Sequence, residues 1–165
     1  MKAIVYTSNS GFTKHYAELL AQETGLPVYS LKKESKKVPA GSEIIYLGWL
    51  MAGIVKGYKK AAKMYTVKAV CAVGMACPTE KYREEIQKKF SDGLAVFYLQ
   101  GGFDIKKLHG IYKFMMQSMS KAAGKKLEEK KDKTDEEIIM LDLMKNGGDM
   151  VRRENLDEVL TWYRR

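Results

Sequence analysis

The residues whose types and spacing best suit chemistry lie in one short segment, TSNSGFT, at 7–13. The segment follows an apolar, β-branched run and precedes residues with helical spacing, so it connects a predicted strand to a predicted helix. At such a junction, unpaired backbone N–H groups and the positive end of the helix dipole favour an anion. Ser8, Ser10 and Thr13 add hydroxyl donors, and Gly11 lets the backbone approach a ligand closely. The segment is therefore a candidate phosphate site.

The segment also lacks Lys and Arg, which narrows the kind of phosphate. A nucleoside-triphosphate loop needs GxxxxGK[ST] and a dinucleotide loop needs GxGxxG, and neither pattern is present. A hydroxyl-rich loop without a cation suits one terminal phosphomonoester. The alternative is that Ser8 or Ser10 simply caps the helix.

Five apolar runs, alternating with helical stretches, predict the elements that position this loop. The strands are expected at about 2–6, 27–31, 43–48, 67–73 and 93–99, and the helices at about 13–23, 55–64 and 79–90. Strands that are apolar on both faces indicate a parallel sheet covered by helices on both sides, hence a doubly wound α/β sandwich. Ligands bind such sheets outside the carboxyl ends of the strands, where the loop lies.

The pattern changes after the fifth predicted strand. A long segment at 104–123 precedes a charged run at 125–137, a helical stretch at 138–144, the turn NGGD at 146–149 and a last helix near 155–163. We interpret the charged run as a solvated helix face or a linker. With 165 residues and 45% hydrophobic content, the chain is predicted to form a single domain, with a core at 1–100 and a helical extension at 104–165.

The net charge of +9 raises the question of an anionic partner. The lysines lack the aromatic-basic pattern that stacks single-stranded bases, so we expect no binding to nucleic acid. Cys71 and Cys77 form no CxxC pair, and His15 and His109 are distant in sequence, so neither a metal site nor a disulfide is predicted. No apolar run approaches the roughly 18 residues of a membrane span, and we expect a cytoplasmic protein.

The segment IVYTSNSGFTKHYA, at 4–17, resembles the FMN-phosphate signature of the flavodoxin family. The matching positions are Ile4, Val5, Tyr6, Ser8, Gly11, Thr13 and Ala17. The resemblance implies a flavodoxin-like three-layer sandwich, with a five-stranded parallel sheet in the order 2-1-3-4-5 and helices on both faces. It also implies noncovalent FMN as the cofactor, with the redox chemistry supplied by the flavin.

In that fold, FMN lies across three loops at the ends of strands. The phosphate loop would contain Ser8, Asn9, Ser10, Gly11, Phe12 and Thr13. The loops that flank the isoalloxazine ring would contain Trp49, Leu50, Met51, Ala52, Gly53, Met75, Ala76 and Cys77. Flat or deformable apolar side chains suit contact with the ring, and small residues leave backbone groups free for its polar edge. Without the phosphate loop, Trp49 would be interpreted as a core residue.

The chain departs from the family pattern at two points. Phe12 stands where flavodoxins often carry a polar residue, so only its backbone N–H can donate to the phosphate. Electron-carrier flavodoxins are typically acidic, and an acidic surface disfavours the anionic reduced flavin; Lys14 and Lys56, near the predicted site, should reduce that penalty. A reductase or oxidase that acts on a substrate, or a carrier with acidic partners, fits the charge better than a low-potential carrier.

The segment YLQGGFDIKKLHGIYKFMMQSM, at 98–119, is similar to the flavodoxin-domain branch that includes the menaquinone-dependent protoporphyrinogen oxidase. This resemblance implies an FMN-dependent oxidoreductase that passes electrons from a reduced donor to a quinone-like or porphyrin-like acceptor. One helical stripe contains Leu108, Ile111, Tyr112, Met115, Met116 and Met119. The helix near 105–120 is expected either to pack on the sheet or to approach a quinone or an anionic membrane surface. His109 is interpreted as a surface or packing residue, and no catalytic acid or base is assigned.

A rival motif is CPTEKYR, at 77–83, which has the C-x5-R spacing of phosphotyrosine phosphatases and related arsenate reductases. Here Pro78 removes one N–H donor, no glycine is present, and Glu84 follows Arg83 in place of Ser or Thr. The phosphatase hypothesis is therefore disfavoured, and we expect Cys77 to line the flavin pocket or be buried, with Arg83 solvated. A one-electron carrier and a flavin-free interaction module on the same fold are also compatible with the sequence.

Overall fold

The computed structural model describes residues 1–108 and 110–165, and of Tyr112 and Met119 the backbone alone. The interpretations of His109 and of these two side chains therefore lie outside the described residues. The strands are β1 (Ala3–Thr7), β2 (Val28–Ser30), β3 (Glu43–Met51), β4 (Ile54–Val55), β5 (Thr66–Gly74), β6 (Ala95–Gln100), β7 (Gly102–Phe103) and β8 (Gly148–Asp149). The α-helices are α1 (Phe12–Thr24), α2 (Tyr58–Met64), α3 (Glu80–Gln87), α4 (Ile111–Glu129), α5 (Asp135–Asn146) and α6 (Asp157–Tyr163).

The central sheet consists of five parallel strands and one short antiparallel strand. The parallel strands lie in the order β2-β1-β3-β5-β6, and β4 pairs with the end of β3. Ala52 and Gly53 form the turn between β3 and β4, with φ angles of 48° and 72°. Two successive positive φ angles are what the type I′ turn of a tight hairpin requires.

The predicted α/β class, with a mostly parallel sheet flanked by helices, is confirmed. The predicted count of five strands was wrong, because β4 adds a sixth strand and changes the numbering of the order from 2-1-3-4-5 to 2-1-3-5-6. The predicted helix at 55–64 was wrong at its start, because Val55 belongs to β4 and α2 begins only at Tyr58. A strand of two residues is too short to give a hydrophobic period, so the sequence pattern could not reveal it. Similarly, the predicted turn at 146–149 contains β8, which pairs with β7.

The core consists of two layers, one on each face of the sheet. Successive residues of a strand point to opposite faces, so each strand contributes to both layers. One layer packs against α1 and α6 and includes Ile4, Ile45, Leu47, Cys71, Tyr16, Leu20, Val159 and Leu160. The other packs against α2 and α3 and includes Val5, Ile44, Tyr46, Val70, Ala61 and Ile86. Burial of each large apolar side chain contributes roughly 1.5–3 kcal/mol to folding, which holds the loops at the strand ends on a rigid support.

The C-terminal extension forms a third, smaller cluster beyond the sheet. It contains Phe103, Leu108 and Leu143, with Met75 and Met116 packed against them. The charged run at 125–137 covers the end of α4, a short linker and the start of α5, where Thr134 and Glu137 form a capping box. Within residues 1–108 and 110–165, none of the helices combines the length and the apolar character needed to cross a membrane.

Candidate functional site

The loop at 7–13 connects the carboxyl end of β1 to the start of α1. Gly11 is the N-cap residue of α1, with a φ of 102° that favours glycine, and no side chain among the described residues caps the helix. The Ser8 hydroxyl instead accepts a hydrogen bond from the Gly11 N–H, at a distance of 3.2 Å between N and Oγ. Because the first N–H groups of a helix have no partner within the helix, this uncapped start can accept an anion.

Two concave spaces adjoin this loop, and Trp49 borders both. The first, which we call the inner cavity, has a volume of about 70 Å³ and is lined by Ser10, Phe12, Thr13, Trp49, Leu50, Val73, Gly74, Met75, Gly102, Phe103, Asp104, Leu108 and Met116. The second, which we call the Trp49 groove, has a volume of about 490 Å³ and is lined by Thr7, Ser8, Asn9, Lys32, Trp49, Lys56, Gly57, Gly110 and Ile111.

The predicted site residues are divided between these spaces. Those at the inner cavity are Ser10, Phe12, Thr13, Trp49, Leu50 and Met75, and those at the Trp49 groove are Ser8, Asn9 and Trp49. Neither space is lined by Gly11, Met51, Ala52, Gly53, Ala76 or Cys77. Met51, Ala52 and Gly53 are absent from both linings because they belong to a hairpin. Strand β3 continues to Met51, and the chain then turns back to pair with it as β4. Lys89 Nζ holds that turn through the Gly53 carbonyl, at 3.1 Å.

Several lining residues were not identified from the sequence. Lys32 follows β2, Gly57 precedes α2, and Leu108 and Met116 come from the C-terminal extension. They are distant from the loop in sequence and come together only through strand order and helix packing. Two sequence signals pointed to this region. Lys56 was expected near the site and does line the groove, and the helical stripe with Leu108 and Met116 was expected to pack on the sheet or approach a quinone.

A buried tyrosine fixes the wall of the groove at residues 56–57. The Tyr46 hydroxyl donates to the Lys56 carbonyl at 2.7 Å and lies 2.8 Å from Thr7 Oγ1. Burial raises the pKa of Tyr46 to about 12, against a smaller opposing effect of the Thr7 hydrogen bond, so the hydroxyl keeps its proton at neutral pH. Gly57 packs directly over this pair with a φ of 83°, and a Cβ there would overlap both hydroxyl oxygens. The end of β1 and the start of α2 are thereby joined.

The groove is electrostatically positive. Lys32 and Lys56 border it, no acidic side chain is among its described lining residues, and the start of α1 adds its dipole. Lys56 Nζ lies 6.0 Å from the centre of the Trp49 ring, within the range of a cation–π contact. Lys14, also expected near the site, lines neither space and pairs with Glu18 at 3.4 Å.

Phe12 points away from the helix start and into the structure. Its side chain is buried, and a Cβ on Gly102 would come within 2.7 Å of the Phe12 ring. Lys107 Nζ lies 5.7 Å from the centre of that ring. Phe12 therefore closes one side of the inner cavity, and only its backbone can face an anion at the loop.

The Cys77 motif does not have the features of a thiolate phosphatase. Burial raises the pKa of the Cys77 thiol, with an opposing hydrogen bond from the Gln100 amide at 3.7 Å, whereas a nucleophilic cysteine needs a lowered pKa. The Arg83 guanidinium pairs with Glu158. Thr79 caps α3 by accepting from the Tyr82 N–H. Cys77 is half-buried and lines neither the inner cavity nor the Trp49 groove.

A larger groove of about 670 Å³ lies between α4 and α5. It shares no lining residue with the inner cavity or the Trp49 groove within the described part of the chain. Because no residue of the loop at 7–13 lines it, its size does not make it the candidate site.

Comparison of the chain with family models finds no match, and neither does comparison with curated proteins or with solved structures. The functional proposal below therefore depends on the residues and the geometry described above.

Proposed function

We propose that the chain is a flavodoxin-like protein that binds one FMN and acts as an oxidoreductase. The observation that carries the proposal is the uncapped start of α1 beside a positive groove that contains an aromatic ring, all at the carboxyl end of a parallel sheet. This is the edge at which α/β sheets bind ligands. The resemblance of residues 4–17 to the FMN-phosphate signature supports the same assignment.

The residues at the phosphate end fit a phosphomonoester. The helix start has no side-chain cap among the described residues, and a Cβ on Gly11 would meet no atom within 4 Å, so a ligand can reach the backbone. Ser10 and Thr13 lie at the same helix start and can donate from their hydroxyls. Lys32 and Lys56 also line the adjoining groove and add positive charge there.

The two spaces differ in whether they can hold a flavin ring. The inner cavity, at about 70 Å³, is far below the roughly 300–1,000 Å³ of small-molecule sites; Leu108 and Met116 of the C-terminal extension line it together with the ends of β3 and β5. The Trp49 groove, at about 490 Å³, is large enough. We therefore assign the ring to the groove, against Trp49, and assign it no contact with Met75, Ala76 or Cys77.

Bound FMN would supply the electron-transfer chemistry. The protein's part is to bind, orient and tune it. The N–H groups of the α1 start and the Ser10 and Thr13 hydroxyls would hold the phosphate, and Trp49 would cover one side of the ring and exclude water there. Lys32 and Lys56 would favour added negative charge, which disfavours a low-potential carrier. We propose a quinone-like or porphyrin-like acceptor, as the resemblance of residues 98–119 implies, with a one-electron carrier for acidic partners as the alternative.

The test is a titration of the purified protein with FMN, followed by tryptophan fluorescence. We expect quenching that Trp49→Phe abolishes and that Trp162→Phe preserves, since Trp162 packs against Phe97 with ring centres 6.0 Å apart. Ser10→Asp should weaken FMN binding through repulsion of the phosphate but leave riboflavin binding unchanged. Ser91→Asp, in an exposed loop, is the matched control. A protein that neither quenches nor binds FMN would refute the proposal.

A second measurement distinguishes the enzyme from the carrier. The FMN-loaded protein is reduced chemically, and its reoxidation is followed with a soluble quinone and with a one-electron acceptor protein. Rapid reoxidation by the quinone alone supports the oxidoreductase. Rapid reoxidation by the protein alone supports the carrier.

A further inference from the structure

The first half of α4 presents apolar side chains to solvent. Ile111 is 71% exposed, Phe114 is 74% exposed and Met115 is 38% exposed. Positions three and four residues apart lie on one face of a helix, so these side chains form one stripe. Met116, one position further round the helix, instead packs against the third cluster. The helix is thus attached to the protein by one face and leaves an apolar stripe on another.

The segment that carries this stripe is strongly basic. Residues 105–127 contain no Asp or Glu, and they contain six exposed lysines, Lys106, Lys107, Lys113, Lys121, Lys125 and Lys126. In the described part of the chain, ion pairs are found for Lys107 with Asp104, at 3.6 Å, and for Lys125 with Glu129, at 4.0 Å. Both are exposed pairs, which contribute little and leave the surface positive.

We propose that this face of α4 binds the surface of an anionic lipid bilayer. In that arrangement Ile111, Phe114 and Met115 enter the boundary between headgroups and acyl chains, and the flanking lysines contact anionic headgroups. Basic amphipathic helices with aromatic and aliphatic residues on one face bind membranes in this way. The helix lies on the bilayer and does not cross it.

Two features favour lipid over an acidic protein as the partner. Lysine is depleted at protein–protein interfaces, where aromatic residues and arginine predominate, and this face has six lysines and no arginine. The apolar side chains are also exposed along one helix and are not gathered into a buried centre, which suits a deformable surface better than a protein interface. A bilayer needs only apolar insertion and spread positive charge, and both are present.

The inference is independent of FMN, because it uses only α4 and its lysines. It has one consequence for the candidate site. Gly110 and Ile111 also border the Trp49 groove, so docking would bring the rim of the groove to the lipid surface. A lipid-soluble molecule could then reach the groove without passing through water.

The test is co-sedimentation of the full chain with vesicles at low ionic strength. One vesicle preparation contains equal parts of phosphatidylglycerol and phosphatidylcholine, and the other contains phosphatidylcholine alone. We expect binding to the anionic vesicles, at least about ten-fold weaker binding to the neutral ones, and release by high salt, because screening weakens the lysine contribution.

Two pairs of substitutions with matched controls locate the surface. Ile111→Ser with Phe114→Ser should lower the partition coefficient at least about ten-fold by removing the inserted side chains. Its control is Ile138→Ser with Ile139→Ser, also exposed but on α5, which begins with three acidic residues. Lys121→Gln with Lys126→Gln, two exposed lysines on the same side of α4 as the stripe, should lower it by a similar factor. Its control is Lys59→Gln with Lys60→Gln, two exposed lysines of α2.

Circular dichroism and size-exclusion chromatography accompany each variant. No binding, equal binding to both vesicle types, or equal losses in the controls would overturn the proposal. Conversion of a dimer to a monomer by the Ile111 and Phe114 pair, without vesicle binding, would assign the stripe to a second copy of the chain instead. If the serine pair does not fold, the lysine pair, at exposed positions, is the deciding variant.

Discussion

Gly57, in the wall of the Trp49 groove, has a positive φ and packs against two hydroxyl groups, so Gly57→Ala should lower the free energy of unfolding. Its φ of 83° costs a residue with a Cβ about 1–2 kcal/mol. The added methyl group would also overlap the Tyr46 and Thr7 hydroxyls, whose separation is 2.8 Å. Displacing this buried pair leaves polar groups partly unsatisfied and costs about 1–3 kcal/mol more. We therefore expect a total loss of about 3 kcal/mol in the free energy of unfolding.

Gly93→Ala separates the two contributions. Gly93 has a φ of 84°, nearly the same as Gly57, but a Cβ there would meet nothing within 4 Å. Its substitution should cost only the backbone strain, about 1–2 kcal/mol. Urea denaturation followed by circular dichroism measures both values. In the Tyr46→Phe background, which removes one of the two hydroxyls, the excess cost of Gly57→Ala should shrink. Equal losses for Gly57→Ala and Gly93→Ala would refute the argument from the hydroxyl pair.

Further predictions concern the core and the helix ends. Burial raises the pKa of the Cys71 thiol to about 12 from an ordinary value near 9.0, so its contribution to stability is complete below about pH 9 and is lost as the pH rises toward 12. Urea unfolding at about pH 8 to 10.5 should show the free energy of unfolding decline by at most about 1.4 kcal/mol per pH unit. Cys71→Ala should abolish the component of this decline that begins near pH 9. A thiol reagent should label Cys77 in the native protein and Cys71 only after unfolding; early labelling of Cys71 would contradict its complete burial. Thr134→Ala removes a capping box and should lower the free energy of unfolding by about 1 kcal/mol. Thermal unfolding followed by circular dichroism should then have a lower midpoint, and Thr79→Ala at the start of α3 should have a similar effect.

The short-range features of the site could be predicted from the sequence. The run at 7–13 has hydroxyls, a glycine and no cation, and it lies between an apolar run and residues with helical spacing. These are local properties, and together they predict a strand, a loop and a helix start. The structure has β1, the loop and α1 there. The helix-cap alternative is not found, because Ser8 bonds to Gly11 and no side chain among the described residues caps α1.

The composition of the second predicted loop was misleading. Met51, Ala52 and Gly53 suit contact with a ring, but their backbone forms the turn of a hairpin. Small and apolar residues are compatible with both structures, and the pairing of Met51 with Ile54 depends on a hydrogen-bonding partner that composition does not indicate. The lining of the inner cavity likewise includes Leu108 and Met116, which lie far along the chain from β3 and β5.

Periodicity and spacing act over a few residues. For that reason the sequence alone specified the α/β class with its mostly parallel sheet, the loop between β1 and α1, and the basic, apolar α4 segment. Tertiary structure decided which residues share a space. Lys32 shares the groove with Trp49 because β1 lies between β2 and β3, and Gly57 meets Thr7 because Tyr46 joins their elements. These contacts depend on strand order and on the packing of distant side chains, and no local pattern encodes either one.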